Sequence, residues 1–117
     1  MTREIKFRVW STFHNKEELI YLNKFTSKDL ESCDNWKVMQ YTGLNDKNGK
    51  EIYEGDIVKS NYNHLFVINF KYGSFGANWI KDNFVWYSFA TNFFIEKKFE
   101  VVGTIYENPE LLGGKND

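Results

Sequence analysis

Tyr41-Thr42-Gly43-Leu44-Asn45-Asp46-Lys47-Asn48-Gly49-Lys50-Glu51-Ile52-Tyr53-Glu54-Gly55-Asp56-Ile57-Val58 carries the densest local information in the chain. Asn48-Gly49 accepts the positive φ angles of a tight hairpin turn at little steric cost, so two short strands meet there. Gly55 suits a second sharp bend, and the Asp56 carboxylate can accept hydrogen bonds from nearby free amides. The order turn, strand, Gly-Asp bend, strand predicts short β-strands joined by tight turns.

The same pattern extends in both directions. Ile5, Phe7 and Val9 alternate with Lys6 and Arg8, the period of two of a half-buried strand. Leu19-Ile20-Tyr21-Leu22 is a short strand-like apolar run. Residues 26–34 are polar around Leu30 and predict a loop with one helical turn, capped by Thr26 or Ser27. Trp36, Val38 and Gln40 alternate with Lys37, Met39 and Tyr41 as another strand. Residues 61–64 read as a turn before the strand Leu65-Phe66-Val67-Ile68-Asn69-Phe70, and residues 71–76 close a hairpin onto Trp79 and Ile80. Residues 84–94 are apolar on both strand faces, which favours a strand covered on both sides. Residues 99–106 form a further strand, and Asn108-Pro109 opens a short helix in which proline takes the first position.

The fold class that follows is mainly β: a small barrel-like or strongly bent antiparallel sheet with a short C-terminal helix, an α+β arrangement being the alternative. One domain over residues 1–112 and a fraying tail over 113–117 fit a 117-residue chain. The expected core comprises Ile5, Phe7, Val9, Trp36, Val38, Ile52, Ile57, Val58, Val67, Phe70, Val101, Val102 and Ile105. With 4 Trp, 7 Tyr and 11 Phe, aromatics reach 19% of the chain, more than a subunit of this size readily hides. Trp79, Phe84, Trp86, Tyr87, Phe93 and Phe94 are the candidate interaction surface, and contact with another copy of the chain is its expected use.

Composition and spacing weigh against other chemistries. A net charge of −1 and a pI near 6.1 argue against a general phosphate-backbone binder. Single-stranded nucleic acid is the alternative partner, with Trp79, Trp86, Tyr87 and Phe93 stacking on bases beside Lys71, Lys81, Lys97 and Lys98. His14, Cys33 and His64 have no metal-ligand spacing, so no metal and no cofactor is expected. Cys33 lies among Glu31, Ser32 and Asp34, acids that would raise a thiol pKa and blunt a nucleophile. Glu51, Glu54 and Asp56 read as solvated turn acids, and no catalytic residue is assigned. One cysteine makes no internal disulfide, and the opening residues hold no apolar signal core, so a cytoplasmic protein without a membrane partner is expected.

Four segments also occur in the order found in one family. They are Arg3-Glu4-Ile5-Lys6-Phe7-Arg8, Met39-Gln40-Tyr41-Thr42-Gly43-Leu44, the run from Asp46 to Val58, and Val102-Gly103-Thr104-Ile105-Tyr106-Glu107-Asn108-Pro109-Glu110-Leu111-Leu112. Together they closely resemble the YopX family of phage and prophage proteins, a match that runs from near the start to Leu112 with only residues 11–34 and 62–98 variable and uninformative. Family members continue the first segment with alanine, tryptophan and aspartate, whereas this chain has Val9-Trp10-Ser11 and lacks the acid. The resemblance implies a phage- or prophage-encoded accessory protein in a bacterial host cytoplasm, with self-association and no enzymatic activity. Host or phage proteins are the partners it leaves open. Gly43, Asn48, Gly49, Gly55 and Asp56 are expected to serve backbone geometry.

Overall fold

A computed structural model describes residues 5–12, 17–22, 36–82, 85–89 and 98–113. The chain is mostly β, and its strands form two antiparallel sheets, one of them curled into a half-barrel. The strands are β1 (Phe7–Ser11), β2 (Glu18–Leu22), β3 (Trp36–Asn45), β4 (Glu51–Tyr53), β5 (Asp56–Lys59), β6 (Leu65–Lys71), β7 (Ser74–Trp79), β8 (Trp86–Ser88) and β9 (Glu100–Thr104). A short helix, α1 (Glu110–Gly113), follows. One sheet has the order β2-β1-β3-β4 and the other β8-β7-β6-β5-β9. The expectation of a mainly β fold with a short C-terminal helix therefore holds. The expected helical turn over residues 26–34 lies outside the described residues.

The chain passes from one sheet to the other at Glu54-Gly55. Gly55 has φ +85°, its N–H donates to the Ile68 carbonyl at 2.8 Å, and its carbonyl accepts Ile105 N–H at 2.9 Å. The crossover is thus held between β6 and the residue after β9. The Asn48-Gly49 turn joins β3 to β4, with Gly49 at φ +85°. Gly43, at φ +89°, lies where the β3–β4 register shifts between Tyr41 and Asn45. That irregularity bends β3, which is how one strand can serve both β1 and β4.

The main core cluster joins the larger sheet to the β3–β4 hairpin: Ile52, Val58, Phe66, Ile68, Ala77 and Phe99 are buried, with Leu44, Trp79, Tyr87, Phe89 and Val101 packed against them. Phe99 meets Phe66 edge-to-face at 5.3 Å, a favoured ring geometry. Val9, Ile52, Ile57 and Val58 are fully buried, as expected of core residues, and the adjacent pair Ile57-Val58 shows that β5 is covered on both faces. Each such side chain contributes roughly 1.5–3 kcal/mol relative to exposure.

Four expected core residues are exposed instead: Ile5, Val38, Phe70 and Val102. Ile5 precedes β1 and has no strand neighbour in that sheet. In β3 the buried parity is Met39 and Tyr41, so the face assigned from Val38 was the wrong one. Phe70 overhangs the end of β6 beside the 72–73 turn. Val102 is the extra residue of a β-bulge, since Val58 pairs with Val101 and Ile57 with Gly103. Phe7, Val67, Val101 and Ile105 are half-buried, and the Trp36 side chain lies outside the description. The largest departure is Arg8, read as the solvent side of β1 but only 1% exposed.

The C-terminal segment turns on a contact between Gly103 and Asn108. Asn108 Oδ1 accepts Thr104 N–H at 3.1 Å, and a Cβ on Gly103 would lie 2.3 Å from that oxygen. Asn108 therefore braces β9 with its side chain, while its carbonyl accepts Leu111 N–H at 3.0 Å to start the helical turn.

Candidate functional site

The buried charges lie where the two sheets meet. Arg8 of β1 donates to Asp56 Oδ1 of β5 at 2.7 Å, and both side chains are nearly inaccessible. The same guanidinium reaches the Glu54 carbonyl at 3.1 Å and stacks over the Tyr53 ring at 4.7 Å from its centroid. Asp56 Oδ2 accepts Tyr53 N–H at 2.8 Å, so each carboxylate oxygen has a donor. Burial pushes the Asp56 carboxyl above its ordinary value, and Arg8 with the Tyr53 amide pulls it back. Asp56 is therefore not the solvated turn acid expected from sequence. Tyr53 is pushed up to about 12, first by burial and then by the Glu51 carboxylate. Glu51 is paired with Lys6, and Glu54 Oε1 accepts Gln40 N–H at 2.9 Å. The three acids point to separate partners and form no acid–base group.

Asp46 performs the equivalent task at the Asn48-Gly49 turn. Its Oδ1 accepts Asn48 N–H and Lys50 N–H at 2.8 and 2.9 Å, and its Oδ2 accepts Val101 N–H at 2.9 Å. One carboxylate thereby shapes the turn and ties it to β9. Burial opposes its charge, but the three backbone donors and Lys50 outweigh that and hold the carboxyl below 3.8. A carboxylate depressed in the folded state adds stability that is complete above its unfolded pKa and disappears as pH falls through the folded value. Asp46→Asn should therefore lose about 1–3 kcal/mol at pH 7 and flatten the decline in stability below pH 4. Urea unfolding of both proteins between pH 3 and 7 checks this; parallel pH profiles would disprove it.

The candidate interaction residues divide between two faces. Trp79 and Tyr87 pack against the core cluster. Trp86 lies on the opposite face of the same sheet, over Gly76, where a Cβ would meet its ring at 2.4 Å. Its Nε1 donates to Asn69 Oδ1 at 2.7 Å, and Asn69 Nδ2 donates to Asn78 Oδ1 at 2.6 Å. Phe84, Phe93 and Phe94 lie outside the described residues, as does Lys97. Because Trp86 is separated from Trp79 and Tyr87 by the sheet, these three rings make no single stacking platform.

The aromatics most open to solvent are elsewhere: among the described residues Tyr72, Tyr62, Tyr21 and Phe70 are the most exposed, and two of them, Tyr72 and Phe70, share one end of the β6–β7 hairpin. Tyr72, in the β6–β7 turn with φ 55°, is 92% exposed and meets Trp86 edge-to-face at 5.6 Å. Phe70 is 50% exposed on the other side of the same hairpin end and contacts Phe75 at 5.0 Å. Sequence reading placed Phe70 in the core and gave Tyr72 no role; the signal available was its position in a two-residue turn before Gly73.

Two open grooves flank the sheets. One, of about 640 Å³, separates Gln40, Thr42 and Leu44 from Phe70, Phe75 and Phe89. The other, of about 560 Å³, lies between the 63–65 segment, the end of β7 and α1. Among the described residues no cluster of three His, Cys, Asp or Glu could hold a metal ion, while His14 and Cys33 lie outside them. No described helix is long and apolar enough to cross a membrane.

The YopX protein family model matches residues 6–113. The chain belongs to the YopX family. The solved structures include a similar protein, EF1440 from Enterococcus faecalis, at 26% identity and a TM-score of 0.60. The alignment covers 95% of this chain and 99% of that one. Comparison with curated proteins finds no match. Within this YopX chain the segments that carried the resemblance meet physically at the crossover between sheets. Arg8, Met39, Asp46, Gly55, Asp56 and Asn108 contact one another's strands or hold the turns between them.

Proposed function

We propose that this YopX protein is a phage- or prophage-encoded accessory protein that acts by binding, both to other proteins and to further copies of itself, in the cytoplasm of a bacterial host. In this reading it performs no catalytic step. The observation that carries the reading is the aromatic end of the β6–β7 hairpin, where Phe70 and Tyr72 are exposed on opposite sides of the sheet and Tyr72 meets the half-buried Trp86 edge-to-face. Aromatic side chains bring large contact area at small entropic cost, and exposed clusters of them mark protein contacts. The adjoining β8, three residues long, is the last strand in the order of that sheet. The buried ionisable groups support the reading as well, because Arg8, Asp46 and Asp56 are spent on holding strands together.

Sedimentation velocity at micromolar concentration tests self-association. The wild-type chain should sediment as more than a monomer, and Phe70→Ser with Tyr72→Ser should shift it to monomer with an unchanged melting temperature. A lysate pull-down with nuclease treatment tests the partner class: retained proteins support the reading. A wild-type monomer that retains nothing, or whose recovery is abolished by nuclease, would overturn it and favour single-stranded nucleic acid.

A further inference from the structure

The groove beside α1 is separate from the aromatic hairpin end and has a different chemistry. Its wall is apolar, built from Trp79, Ile80, Leu111 and Leu112, and its rim carries two basic side chains, His64 and Lys81. None of the described residues that line it is acidic. Among the described residues neither the His64 imidazole nor the Lys81 ammonium has a hydrogen-bond or ion-pair partner, although the chain as a whole is slightly acidic. The His64 ring stands 5.3 Å from the Trp79 ring at an interplanar angle of 47°, so the two open as a wedge.

The wall formed by residues 60–65 and Ile80 is held by its own hydrogen bonds. Ser60 is buried; its Oγ accepts Tyr62 N–H and His64 N–H, and its own N–H donates to the His64 carbonyl at 2.9 Å. Ile80 N–H donates to the Leu65 carbonyl at 2.9 Å, which closes the other side. A volume of about 560 Å³ falls within the range of small-molecule sites, which are mostly apolar with a few polar groups that orient the ligand. Leu112 leaves 39% of its surface in water at the mouth, apolar area that a ligand would cover.

We propose that this groove binds a small amphipathic anion: an apolar body seated against Trp79, Ile80 and Leu112, with its carboxylate between His64 and Lys81. Charge complementarity selects the anion, since an ammonium head would meet the Lys81 ammonium and none of the described lining residues is acidic. The apolar wall selects against free phosphate or acetate, which would cover none of it. The site does not depend on the hairpin surface, so either can fail alone.

The test uses the full chain with decanoate as probe and decylamine and acetate as controls, followed by isothermal titration and amide chemical shifts. Decanoate should bind and move the resonances of His64, Lys81 and the Trp79 indole, while decylamine and acetate should bind at least tenfold more weakly. Lys81→Glu and Leu112→Asp, both exposed, should each weaken decanoate about tenfold at an unchanged melting temperature. Equal binding of decylamine, shifts centred on Tyr72 and Trp86 instead, or undiminished affinity in both variants would each overturn the proposal.

Discussion

Gly55→Val should lower the melting temperature by about 10–20 °C, corresponding to a loss on the order of 3–5 kcal/mol. Two costs combine there. Gly55 has φ +85°, a conformation that is especially unfavourable for a β-branched residue and costs roughly 1–3 kcal/mol. A Cβ would also lie 2.8 Å from Met39 Sδ, and Met39 is only 3% exposed, so overpacking adds about 1–3 kcal/mol. Gly49→Ala separates the two, because Gly49 shares φ +85° but its Cβ would meet nothing within 4 Å. It should lose only about 1–2 kcal/mol, the conformational part alone. Thermal melts of both variants check the pair. Equal melting temperatures would show that the crossover is looser than its contacts indicate.

Arg8→Met should cost about 3–5 kcal/mol, since it leaves the Asp56 carboxylate buried without its counter-charge. The pH dependence identifies the mechanism. Burial already pushes Asp56 up, and removing Arg8 takes away the largest opposing influence. A carboxyl whose folded pKa is raised binds its proton more tightly in the folded state, so stability is gained as pH falls through that value. The variant should therefore be more stable at pH 5 than at pH 7. Adding Asp56→Asn should recover part of the loss, because the amide oxygen can still accept Tyr53 N–H and no charge remains buried. Chemical denaturation of the single and double variants at both pH values measures this. An Arg8→Met protein with equal stability at pH 5 and 7 would refute the account.

Gly55, Arg8 and Asp56 lie in one small region between the two sheets. The Gly55 bend, the Arg8–Asp56 pair and the Asp46 turn each tie one sheet to the other through hydrogen bonds to backbone amides or carbonyls. The surfaces proposed for binding, by contrast, are at the far hairpin end and beside α1. Substitutions there should alter recognition and leave folding intact.

Turns and strand positions were legible in the chain because their causes are local. Gly49 and Gly55 take positive φ within their own short turns, and alternation over five residues is enough to mark β1. The resemblance likewise rests on contiguous residues. What alternation cannot show is which parity faces the second sheet. That parity reversed the expectation for β3, where Met39 and Tyr41 are covered and Val38 is not. The fate of Arg8 was equally hidden, since its partner Asp56 is 48 residues away and becomes a neighbour only after the crossover at Gly55.

The aromatic side chains follow the same division. Their number was plain, and it pointed to surplus apolar surface, but composition carries no direction. Only the pairing of β6, β7 and β8 sends Trp79 and Tyr87 toward the core, lays Trp86 across Gly76, and leaves Tyr72 at the open end. The sequence alone thus determined that this chain makes short antiparallel strands with turns at defined glycines, because steric limits on φ act residue by residue. Tertiary structure decided which charges are buried and which rings meet solvent, because burial depends on the register and orientation of strands far apart in the chain.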